Sequence, residues 1–98
     1  MHPKETPHIA AAADHLVAIY NEPFGGKPRG RYRLSMKLMR QLLDRRRIWH
    51  DEIEALTRAM YERGYALIDM ETFFVVIAHQ TFTNTRRANE AGIIGADG

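Results

Sequence analysis

Residues 53 to 77 constrain the fold more than any other stretch. Ile53, Leu56, Met60 and Tyr61 recur at helical spacing, and Gly64 follows where a left-handed helix end is expected. Asp51, with Glu54 three residues on, reads as the N-cap of that helix, which is predicted over 51–63. Two short runs come next, Tyr65–Ile68 and Phe73–Ile77, both rich in β-branched and aromatic residues. A helix that runs straight into a β-hairpin is the expectation. The connector Asp69-Met70-Glu71-Thr72 has no glycine or asparagine, so a helix from about Met70 to Ala78, capped by Asp69, is the competing reading.

Upstream, Thr6-Pro7 starts a helix, with threonine as the cap and proline at the first helical position. Ile9, Ala12, Ala13, Leu16, Val17 and Tyr20 form its apolar stripe, and it ends near Asn21. The segment 22–33, EPFGGKPRGRYR, carries two prolines and three glycines and reads as a linker. Ser35 caps a second helix over about 35–46, with Leu34, Leu38, Met39, Leu42 and Leu43 on one side. Arg45-Arg46-Arg47 is expected to close it, where cations complement the dipole. Thr83 caps a short last helix through Ala91, stopped by Gly92. The expected organisation is a disordered end at 1–6, one domain at 7–92 and a flexible tail at 93–98. A chain of 98 residues has core enough for one domain only.

The order helix, loop, helix, turn, helix, hairpin over about residues 8 to 78 resembles a winged helix-turn-helix. EALTRAMYERGYALIDMETFFVVI is its most specific piece: a helix ending in Glu-Arg-Gly-Tyr gives way to an apolar hairpin. The expected fold is therefore mainly α with a small β-hairpin, a winged-helix-like three-helix core plus a short C-terminal helix. The resemblance implies DNA binding and transcriptional control, as in a small bacterial regulator. Such regulators commonly bind palindromic sites as dimers, so a homodimer is part of the expectation. The third helix, however, offers Asp51, Glu52, Glu54 and Glu62 against only Arg58 and Arg63, and phosphates repel such a surface. Either another surface docks, or the chain has the shape without the DNA activity.

Net charge is only +2, yet it is segregated. Lys27 to Arg47 holds nine basic residues and one acid, a local charge of +8; Asp51 to Glu71 holds six acids and two arginines, a local charge of −4. Segregation on this scale concerns partners more than fold. Lys27, Arg29, Arg31 and Arg33 are expected to hold a phosphate backbone, with Lys37, Arg40, Arg45, Arg46 and Arg47 adding phosphate contacts. If 70–78 were helical, residues 82–91 would become a recognition helix, and Asn84, Arg86 and Arg87 the base contacts. Double-stranded DNA is the expected partner. The alternative is a protein-binding modulator, anti-activator-like, whose acidic third helix meets a basic surface on a transcription factor or polymerase.

Several chemistries are disfavoured. There is no cysteine, which removes disulfides and thiolate metal sites. His8 and His15 are seven apart, too far for a helical zinc pair, and no metal or cofactor is expected. His50-Asp51-Glu52 implies no nucleophile or pocket, and Gly25-Gly26-Lys27 lacks the spacing and hydroxyl of a phosphate loop, so no enzyme is expected. The longest apolar run, Phe73–Ala78, is far short of a membrane span, and MHPKETPHIAAAADHLV lacks the apolar stretch of a signal peptide. A cytoplasmic location is expected. Trp49 reads as a central packing residue, or else as a stacking platform for a base or a guanidinium.

Overall fold

The computed structural model describes residues 5–23, 29–85 and 87–94. Helix α1, Pro7–Asn21, starts as the sequence suggests: the Thr6 Oγ1 accepts from the Ile9 N–H at 3.2 Å. Its buried side is Ile9, Ala12, Ala13 and Leu16. The two alanines let α1 lie close against α3, His50–Glu62, its main helical neighbour.

The linker is shorter than expected, because its exit is a strand. β1, Tyr32–Ser35, runs antiparallel to β3, Phe73–Ala78, with Tyr32 opposite Val76 and Ser35 opposite Phe73. β2, Tyr65–Asp69, pairs along the other side of β3, giving the order β1-β3-β2. The molecule is therefore a mixed α/β structure with a three-stranded antiparallel sheet, not a helical body with a two-stranded hairpin. Leu34, Leu67, Phe74 and Val76 point from the sheet into the core, as strand alternation dictates.

The hairpin prevails over the competing helix at 70–78 because its turn is built without glycine. The Asp69 carboxylate accepts from the Glu71 N–H at 2.8 Å, and Glu71 takes a left-handed φ of 72°. The Met70 N–H then donates to the Phe73 carbonyl at 2.9 Å.

Helix α2, Met36–Leu43, is capped by Ser35, whose Oγ accepts from the Leu38 N–H at 3.1 Å. It ends before the arginine triplet. Asp44 turns left-handed at φ 55°, and the Asp44 and Arg45 N–H groups close on the carbonyls of Gln41 and Arg40. Aspartate tolerates this conformation better than most residues. Arg45, Arg46 and Arg47 thus lie on the link to α3, not in a last helical turn.

In α3 the cap position belongs to Trp49, which makes no side-chain capping bond; its carbonyl accepts from the N–H groups of Glu52 and Ile53. Asp51, expected as the cap, sits inside the first turn with Glu52, where carboxylates meet the positive end of the dipole. Ile53, Ala55, Leu56, Ala59 and Met60 are buried, while Tyr61 faces solvent. Gly64 takes φ +91° after the helix, a conformation that costs glycine nothing. Arg63 ties the ends together: it donates to Glu5 at 2.6 Å and Asp14 at 2.8 Å, and to the Ala59 carbonyl at 3.0 Å.

The C-terminal helix expected over 83–91 is replaced by a 3-10 segment, His79–Asn84, and a separate α4, Glu90–Ile94, with 87–89 irregular ahead of it. Thr83 lies inside the 3-10 segment, where its hydroxyl donates back to the Gln80 carbonyl at 2.8 Å, so it does not stand at a helix start.

Phe74, Leu16, Met39, Leu43, Leu56, Met60 and Val76 form the sealed centre. Tyr32 roofs one side of it and donates its phenol to the Leu16 carbonyl at 2.7 Å. Burial pushes that phenol's pKa well above its usual value. The neutral form is favoured on folding, so this contribution to stability is complete below about pH 10, the pKa of a free tyrosine. It is lost as pH climbs from there towards the folded-state value. Urea midpoints should fall above pH 10 in the parent, and less so in Tyr32→Phe. Equal alkaline losses in both would contradict this.

Candidate functional site

The left-handed turn at Asp44 throws the arginine triplet outward into the corner between α2 and α3. The three side chains then diverge. Arg45 is drawn to Glu52, with Nε to Oε2 at 3.1 Å. The Arg47 guanidinium lies over the Trp49 ring, 5.4 Å from its centroid, within cation–π range. Arg46 lines the same cavity as Arg40, a residue of the last turn of α2.

Arg40, Arg46, Arg47, Trp49 and His50 surround a cavity of about 430 Å³. Its apolar lining comes from Met36, Ile48, Ile53 and Phe74, and its one carboxylate is Asp69. A shallower cavity of about 350 Å³ adjoins it through shared Arg40 and Arg46, and adds Lys37, Gln41, Asp44 and Arg45. Among the described residues, Lys37, Arg40, Arg46 and Arg47 make no ion pair with a carboxylate. Cations above apolar walls are screened less than cations on open surface, so they attract anions more strongly.

The structure therefore gathers Lys37, Arg40, Arg45, Arg46 and Arg47, but not the rest of the basic segment. Arg33 stands on β1 with its guanidinium 5.9 Å from the Phe73 ring. It borders a separate apolar groove with Ile19, Glu22, Tyr32, Leu34 and Leu38. Arg29 and Arg31 are exposed just ahead of β1, and Lys27 lies outside the described residues.

The base-reading set does not assemble on a helix. Asn84 ends the 3-10 segment, Arg87 is exposed on irregular chain, and Arg86 lies outside the described residues. Residues 73–78 are a strand, so the C-terminal helix-turn-helix they required is not formed.

Trp49 is the residue whose role changes most. It is 55% exposed and so is not a central packing residue. The signal for this was its position two residues after the arginine triplet, beyond Ile48.

The outer side of α3 carries exposed Asp51, Glu54 and Glu62. Glu54 accepts from His50 Nε2 at 2.8 Å, and Glu62 lies 3.9 Å from Arg58. Among the described residues no three His, Asp or Glu side chains cluster as metal ligands would. No helix among them is long and apolar enough to cross a membrane. In comparisons with protein families, curated proteins and solved structures, the chain matches no family model, no curated protein and no solved structure.

Proposed function

We propose that this chain is a small winged-helix-type regulator that binds DNA through the corner between α2 and α3, holding the phosphate backbone with Lys37, Arg40, Arg46 and Arg47. The observation that carries this reading is the convergence of those four cations on adjoining cavities with none of them in an ion pair among the described residues. The element order supports it as well: helix, strand, two helices and a hairpin, with the first strand completing the sheet, is the order a winged helix requires.

The acidic face of α3 decides how the domain would dock. Exposed Asp51, Glu54 and Glu62 cannot lie along a major groove without facing phosphates. Docking by α2 and the arginine link makes its phosphate contacts through Lys37, Arg40, Arg46 and Arg47 and asks for none from that face. Phosphate contacts of this kind position a protein and carry little sequence information, so affinity should depend more on salt than on sequence.

Four phosphate contacts give a log–log slope of affinity against salt of about −3 to −4. Anisotropy titration of a labelled duplex at low and moderate salt measures it. Absence of binding at low salt would remove this reading. In that case the exposed carboxylates of α3 favour the second one, a modulator that binds a basic protein surface on a transcription factor or polymerase.

A further inference from the structure

Resting on the nucleic-acid reading, we infer that the corner also holds one unpaired base against Trp49, which makes single-stranded nucleic acid its preferred partner. Trp49 lines two cavities at once. One is the arginine cavity; the other, about 570 Å³, is bounded by Thr6, His8, Ile9, Arg45, Asp51, Glu52 and Ala55. The two differ in sign. The first presents Arg40, Arg46 and Arg47, whereas the second presents two carboxylates.

The second cavity contains an unmet hydrogen-bonding demand. Glu52 is held by Arg45 through Oε2, and its other oxygen, Oε1, is buried with no partner among the described residues. His8 Nε2 is in the same condition and lines the same cavity. A carboxylate oxygen that is fixed, buried and unpaired accepts from an N–H that enters from outside. Phosphate is the wrong occupant here, because Asp51 and Glu52 repel it.

A nucleobase suits both the exposed indole and the unpartnered Glu52 oxygen. Its flat face stacks on an exposed indole, as bases do on aromatic platforms in single-strand binders. The N–H groups on its pairing edge donate to Glu52 Oε1. The phosphate attached to it falls to the arginine side of the tryptophan. In a duplex the pairing edge is already taken by the opposite strand, so only an unpaired base can present it.

The sole tryptophan of the chain makes the test direct, since its emission reports on this site alone. The full chain is titrated at low salt with a short single-stranded DNA of mixed sequence and with the duplex made from it. The single strand is expected to quench Trp49 emission and to bind about tenfold more tightly than the duplex, the gain of one stacked base. By anisotropy of the labelled strands, Trp49→Ala should lose most of that preference and Trp49→Phe should retain part of it, whereas Glu52→Gln should reduce it with the quench still present. Duplex binding with the expected salt slope, together with no quenching by the single strand, overturns the base site and leaves the phosphate reading standing. If neither DNA binds, both fall.

Discussion

Replacing Phe74 with alanine should leave the domain barely folded at room temperature. The ring sits on the central strand β3, between Leu34 on β1 and Asp69 on β2, and is 1% exposed. Its inner side faces the sealed core, and its edge reaches the wall of the arginine cavity. Truncating a buried phenylalanine costs about 3–5 kcal/mol, because the space it leaves closes only in part. A domain of this size has about 5–15 kcal/mol in all. Urea unfolding followed by circular dichroism should show the midpoint collapse in Phe74→Ala. Phe74→Leu, which conserves more of the volume, should fall by clearly less. A loss under about 1 kcal/mol in the alanine variant would mean that Phe74 is not at the centre of packing.

The second large effect is on binding. Arg46→Ala with Arg47→Ala removes two of the four cations proposed to face phosphate. The salt slope for duplex DNA should shrink by about two, and affinity at low salt should fall by more than tenfold. Both side chains are exposed and make no ion pair among the described residues, so the urea midpoint should move by no more than about 0.5 kcal/mol equivalent. Arg45→Ala should change the slope less, since Glu52 already neutralises that guanidinium at 3.1 Å. An unaltered slope in the double variant would place the DNA contacts elsewhere.

The readable parts of the chain were those governed by local rules. Thr6-Pro7 announces α1, Ser35 announces α2, and the β-branched and aromatic runs on either side of Asp69–Thr72 announce the hairpin. The hidden parts depend on distant partners. Tyr32–Ser35 is only four residues long and follows a glycine- and proline-rich loop; β3, some forty residues away, is what makes it a strand. The end of α2 depends on one aspartate entering a left-handed turn, which competes with an unbroken leucine and arginine pattern.

The site was legible in part for the same reason. Sequence adjacency merges all nine basic residues of 27–47 into one patch. The fold divides them, carrying Arg33 onto β1 and the later cations to the α2–α3 corner. Trp49 was ambiguous because a tryptophan's exposure is set by what packs around it, and no local pattern records that.

Ser35 has a consequence for how that corner behaves. It is the last residue of β1 and also the cap of α2, so no joint lies between sheet and helix. Whatever displaces β1 must swing α2 as a lever, with Lys37 and Arg40 travelling on it. The aim of the cationic corner is thus fixed by the pairing of a strand that contributes nothing to it, and loosening that pairing would misdirect the grip before weakening any contact within it.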